Sequence, residues 1–275
     1  TNAVVDNKDT VTATVGDDAK ITAGNIFMDA YSNVRQKADS RAASVGLVGV
    51  GAAAANAKSE TNVTAMVGLG ADITAVNMFL GATGATDNVA LTETGAFGLV
   101  GAAAAAPETT TTANIMAGLA DGTSGSDRAV LDVTGLLQIT AGQTSTVDTV
   151  VKTESYGAIA GSGASATNDI TSTVDVKLGN YAKASAGEMN LQAINNLVRT
   201  DNGNDIDGKT GGIASGASAR SDTRAEMRTA VTFGDHSDID TTNPNGDLYA
   251  KAFNEIAYVD KVRLETAGAL SGAGA

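Results

Sequence analysis

The sequence predicts an all-β chain, a right-handed parallel β-helix (β-solenoid) with about 52–59 residues per repeat unit and one wide coil per unit. Three observations predict it. Two sequence blocks recur in fixed order along the whole chain, the spans between them alternate in character with a period of two, and the apolar material is mostly Ala and Val with two prolines to interrupt it. The 275 residues read as one segment holding about four and a half copies of a single unit.

The first block is GNIFMDAYSN at Gly24, and it returns as VNMFLGATGA, GLLQITAGQT, GEMNLQAINN and GDLYAKAFNE. Taking Ile26, Met78, Leu137, Met189 and Leu248 as equivalents gives steps of 52, 59, 52 and 59 residues. The second block, VGLVGVGAAAANA at Val45, returns as FGLVGAAAAA, GAIAGSGASA, GGIASGASA and GALSGAGA. A third element, as in ATVGDDAKITAG, leads each time into the next first block. Thr1 enters within the third element and Ala275 stops within the second, so the expectation is a piece of a longer chain, with further repeats at both ends.

Between the blocks the pattern is that of a strand. From Met28 to Ala42, small or apolar residues (Met28, Ala30, Ser32, Val34, Gln36, Ala38, Ser40, Ala42) alternate with Asp29, Tyr31, Asn33, Arg35, Lys37, Asp39 and Arg41. Arg220, Asp222, Arg224, Glu226 and Arg228 alternate in the same way with Ala219, Ser221, Thr223, Ala225 and Met227. No amphipathic helix has that period. The alanine runs could be helical on propensity alone. The glycines that bracket them, and the Thr and Val that follow, favour strands on two sheet faces so close that nothing larger than Ala fits inward. Equivalent residues of successive units then stack at ~4.8 Å. The length variations Ala120–Ala129 and Asp201–Gly211 are expected in turns and surface loops.

Composition narrows the function classes. Asp and Glu total 31 against 18 Lys and Arg, a formal net charge of -13, which disfavours nucleic acid and anionic membranes as partners. There is no cysteine, hence no disulfide framework and no Cys-ligated metal. No run of eighteen apolar residues offers a membrane span.

The TATVGDDAKITAG turn, the NIFMDAYSN strand and the GLVGVGAAAANA strand together resemble the repeats of large bacterial surface adhesins related to filamentous haemagglutinin, including leukotoxin-like filamentous adhesins. The resemblance covers essentially the whole chain. It implies a β-helical shaft, secretion to the extracellular bacterial cell surface, and roles in attachment, aggregation or sheath building.

Candidate chemistry is sparse. His236, the one histidine, lies in GDHSDID beside Ser237 and Asp235, but neighbours on a turn rarely converge as a Ser-His-Asp triad, and a solvated turn is the simpler reading. In DNGNDIDGK, Asp201, Asp205 and Asp207 offer hard oxygens suited to calcium, with Gly208 allowing a sharp turn. The spacing departs from the EF-hand pattern, so the first reading is an acidic surface loop, with no cofactor and calcium as the alternative. Asn62-Val63-Thr64 matches a glycosylation sequon that reads as chance. Tyr31, Tyr249 and Phe253 are outward aromatics that could mark lateral contacts. Carbohydrate-cleaving β-helices focus carboxylates or basic residues in a groove; here the outward faces are mixed-charge ladders and Trp is absent, so no enzyme is expected.

The function that follows is a structural shaft of a giant extracellular filamentous adhesin or surface fibre, with lateral self-association a variant. The alternative is a segment that binds a glycan or a host or neighbour-cell receptor through its loops.

Overall fold

A computed structural model describes residues 1–199, 205–242 and 246–275. In chain order the strands are β1 (Asn2–Val15), β2 (Lys20–Val45), β3 (Val48–Val67), β4 (Asp72–Phe97), β5 (Val100–Leu119), β6 (Val130–Tyr156) and β7 (Ile159–Leu178). They continue as β8 (Lys183–Val198), β9 (Ile206–Gly211), β10 (Ala214–Phe233), β11 (Asp238–Thr241), β12 (Leu248–Ala257), β13 (Val262–Ala267) and β14 (Leu270–Gly274). Among the described residues there is no helix, so the alanine runs are strand, as their glycine brackets suggest.

The strands lie in two sheets and the chain alternates between them. One sheet runs β1-β3-β5-β7-β10-β14; the other runs β2-β4-β6-β8-β11, with β12 also on β8 and β9 between β6 and β13. Every described pairing is parallel. The repeat sets the register: Ile26 pairs with Met78, Met78 with Leu137, Leu137 with Met189, and Met189 with Leu248. Each repeat thus lays one pass of chain on each sheet. The step of 59 rather than 52 between the second and third copies is absorbed largely in the 120–129 turn, where Asp72 already pairs with Val130, and the last residue in a bulge between Ala75 and Met78.

Alternate residues point inward, as the period of two predicts. Ala30, Ser32, Val34, Gln36, Ala38 and Ser40 are all buried, whereas Arg220, Asp222, Arg224, Glu226 and Arg228 are exposed. The inward residues are graded along each strand. Beside the turns at 16–19 and 68–71 the core holds Val67, Ile73, Met78, Leu80, Leu119 and Leu131, all buried. Beside the turns at 46–47 and 98–99 it holds small residues, Gly49, Gly51, Thr94, Ala96 and Ser155. There the sheets close on each other: a Cβ on Gly49 would lie 2.8 Å from the Phe97 carbonyl oxygen. The core is therefore thin at one edge only. The close faces expected at the alanine runs are found at the Ala/Gly end; at the other end Leu, Ile and Met keep the sheets apart.

Between these ends buried polar side chains are interleaved with small apolar clusters such as Ala38, Ala57 and Ala90 and Val147, Ile170 and Leu197. Asn88 of β4 donates through Nδ2 to Ser59 Oγ of β3 and Thr111 Oγ1 of β5, both at 2.7 Å. Asn168 receives the Thr109 hydroxyl at 2.6 Å and donates to Thr149 at 3.2 Å and Thr223 at 3.1 Å. Buried amides and hydroxyls are tolerated where they bond one another, and bonds between sheets add directional constraint that Ala contacts lack.

One expectation needs correction. The stretch Asp201–Gly211 is not loop throughout: Ile206–Gly211 forms β9, pairing with Val151–Tyr156 of β6 and with β13. Ile206 supplies a fully buried apolar side chain beside Val151, and that burial draws the segment into the sheet.

Candidate functional site

The densest group of titratable side chains lies where β8 gives way to β9. Arg199 Nη2 reaches Asp205 Oδ1 at 2.5 Å and Asp148 Oδ1 at 3.3 Å, and Nη1 donates to the Val259 carbonyl at 2.6 Å. The Lys261 amide donates to the other Asp205 oxygen. The guanidinium lies 5.7 Å from the centre of the Tyr258 ring, whose hydroxyl accepts from Asn168 at 2.8 Å. The Arg199, Asp205 and Asp148 side chains are 4%, 0% and 11% exposed, so the charges face one another and not solvent.

Burial acts on each group. It opposes the charge on Arg199, but the Asp205 and Asp148 carboxylates outweigh it and hold the guanidinium above its ordinary range. Burial lifts the Asp205 carboxyl above the usual carboxylate range against the pull of the Lys261 amide and Arg199. It pushes the Tyr258 hydroxyl up to about 12. The cluster ties together three successive passes of the chain, through Asp148, Asp205 and the Tyr258–Lys261 segment. Chemically it is a clamp: its charges pair with one another, while Arg199 Nε is buried without a hydrogen-bond partner.

The sequence did not single out Arg199, Asp148 or Tyr258. No sequence signal could have found them: alternation places Asp148 outward between Val147 and Thr149, and only the structure shows all three buried.

Of the three calcium candidates, Asp201 lies outside the described residues. Asp205 is committed to Arg199 and the Lys261 amide. Asp207 stands on β9 in the row between Lys152 and Arg263. Among the described residues no three His, Asp or Glu side chains gather as metal ligands.

His236 occupies the third position of a recurring turn. Asp18, Gly70, Tyr181 and His236 have φ of 55°, 64°, 58° and 57°, the left-handed region. The preceding position caps the next turn: Asp17 accepts from the Leu69 amide at 2.8 Å, Asp121 from Asn180 at 2.9 Å, and Asn180 from Asp235 at 2.8 Å. The His236 ring stacks on Tyr181, centroids 4.9 Å apart and 23° from parallel. Asn62 lies within β3 and accepts from Asn114 at 3.1 Å.

The insert at 120–129 is a tied loop. Asp127 accepts from the Thr123 hydroxyl at 2.6 Å and from the Ser124 and Thr123 amides at 2.8 and 3.1 Å, in that order of importance, and its carboxyl falls to about 2. Tyr31 and Phe253 share one outward column but stand at its opposite ends, separated by Thr83, Gly142 and Ile194. The aromatics that do meet are Phe27 with Phe79 and Phe97 with Tyr156, the latter stacked at 5.7 Å.

The outward charges form ladders across neighbouring strands. Arg41, Glu93, Lys152, Asp207 and Arg263 occupy one row, alternating in sign at each step, and Arg41 reaches Glu93 at 3.7 Å. Alternation on a shared row favours the in-register pairing over a slipped one.

The chain matches no protein-family model, no curated protein and no solved structure.

Proposed function

We propose that this chain is a segment of the shaft of an extracellular bacterial surface fibre, wound as a right-handed β-solenoid with one wide coil per repeat. Right-handedness follows the general rule for parallel crossover connections. The observation that carries the reading is the unbroken column Ile26, Met78, Leu137, Met189, Leu248, which advances one strand per repeat without drift. A stack with that property extends by adding repeats, and length is its function.

The filamentous adhesin resemblance suggests surface display and attachment, with the charged ladders keeping the fibre soluble and with neither catalysis nor a cofactor.

Cryo-electron microscopy of native material tests this. A continuous rod with a ~4.8 Å axial repeat is expected. A discrete globule would overturn the shaft reading. Attachment that disappears on deleting Ala120–Ala129 from an intact rod would transfer the function to receptor binding by that loop.

A further inference from the structure

Some glycines here have an internal reason. Gly98, Gly157, Gly212 and Gly268 stack at the narrow turns, and a Cβ on any of them would overlap the carbonyl oxygen of the glycine one pass earlier. A second set has none. Gly161, Gly163, Gly216, Gly272 and Gly274 lie on one outward face of the sheet containing β7, β10 and β14. A Cβ on Gly161 would come no closer than 4.0 Å to any atom, on Gly163 or Gly216 no closer than 3.8 Å, and on Gly272 or Gly274 it would meet nothing within 4 Å. Glycine in a strand costs roughly 0.5–1 kcal/mol, and where the fold does not need it, it marks close approach of another backbone.

The surrounding face is uncharged. Residues 45–55, 97–107, 156–166, 211–219 and 267–275 include no Asp, Glu, Lys or Arg, in a chain of net charge -13. Val48, Val50, Ile159 and Leu270 stand exposed on it, and a shallow, open depression lies among Ala102, Gly161, Gly163, Gly216, Ser218 and Gly272.

From these observations we infer that this Ala/Gly face is a lateral interface on which a second copy of the same chain packs face to face. Three arguments select that occupant. The net charge of -13 on each copy opposes association least where the contact face carries no charge. The face repeats at the ~4.8 Å strand spacing, which another parallel stack matches along its whole length. It is also self-complementary: one column descends in bulk through Val50, Ala102, Gly161, Gly216 and Gly272. A partner inverted about an axis along the strands sets Val50 over the Gly272 hollow and Ala102 over Gly216, an isologous contact. Five strands and some seven residues give roughly 1,100 Å² buried between two copies, above the ~1,000 Å² that an interface needs, and each added repeat enlarges it. The inference rests on the shaft reading only for the continuous stack.

The inverted arrangement brings Gly163 opposite its own counterpart. The chain contains no cysteine, so Gly163→Cys introduces a lone thiol. Mild oxidation should give a disulfide dimer, and Asp29→Cys on the other sheet should not. Sedimentation at about 100 μM, where micromolar association is nearly saturated, should show the native chain as a dimer and Gly163→Arg as a monomer. Both should have the same circular dichroism, and in dilute solution, where the native chain is dissociated, the same melting temperature. A monomeric native chain, or a dimer that survives Gly163→Arg with no Gly163→Cys cross-link, would overturn the interface. Either result with the β spectrum intact leaves the shaft reading standing; loss of the 4.8 Å spacing would remove the shaft reading instead.

Discussion

A Cβ on Gly51 would lie 2.6 Å from the carbonyl oxygen of Gly95 in the opposite sheet. The two sheets therefore come within backbone contact at the Ala/Gly end, where only small side chains such as Thr94, Ala96 and Ser155 lie between them, while Leu and Ile separate them at the other. The fold tapers because its inward residues do.

Gly51→Ala should cost about 3 kcal/mol, since a backbone carbonyl cannot step aside as a side chain can. Gly163→Ala, a strand glycine with open space above it within one chain, should be neutral or stabilising by about 0.5–1 kcal/mol when measured in dilute solution on the dissociated chain. Urea denaturation of both variants measures the contrast. Equal losses would show that glycine acts here through strand propensity and not through sheet contact.

Gly70 has φ of 64° in the recurring turn. Gly70→Ala forces a Cβ into the left-handed region and toward the Asp18 side chain, with an expected loss of about 1–2 kcal/mol. His236→Gly relieves the same conformation but loses the stack on Tyr181, so a change of under about 1 kcal/mol is expected. Thermal melts of the two variants read the difference.

Arg199→Met leaves Asp205 buried without its counter-charge and should destabilise by about 3–5 kcal/mol. Adding Asp205→Asn should recover much of that loss, so the two changes should be strongly non-additive in a double-mutant cycle. Additive losses would mean that the pair is not coupled. In Arg199→Met alone, the Asp205 carboxyl rises further, so the stability of that variant should fall as pH climbs above the ordinary carboxylate range.

Tyr258 is held near 12 by burial, against an ordinary tyrosine near 10. A group with a raised folded-state pKa contributes fully below its unfolded value and loses that contribution as pH rises through the folded one. Stability should therefore fall between pH 10 and 12. The amount is on the order of 1–2 kcal/mol after allowing for the partly exposed ring. Tyr258→Phe should be less stable at pH 8, having lost the Asn168 bond, and should lack this part of the alkaline slope. Parallel slopes in both proteins would assign the titration elsewhere.

Much of the fold was legible because a repeat makes its own register readable. Ile26 and Met78 occupy the same place in successive copies, and parallel strands one repeat apart must put such residues side by side. Inward and outward faces were legible at Ala30 to Ser40 for an equally simple reason: a strand presents alternate residues to opposite sides. The buried cluster was not legible. Arg199 and Asp148 are 51 residues apart, and nothing local distinguishes them from the charged residues of the outer ladders. Their burial depends on where the departures from the repeat meet in space.

Sequence alone determined the all-β class, the period, the strand alternation and the column of equivalent residues, because each is a one-dimensional pattern that parallel pairing copies directly into the sheet. Tertiary structure alone decided how far apart the sheets stand, that Ile206–Gly211 joins one of them, and which glycines are required by a neighbouring carbonyl and which face open space. Those are matters of distance between segments from different passes of the chain, set by the summed volumes of side chains that no single stretch of sequence contains.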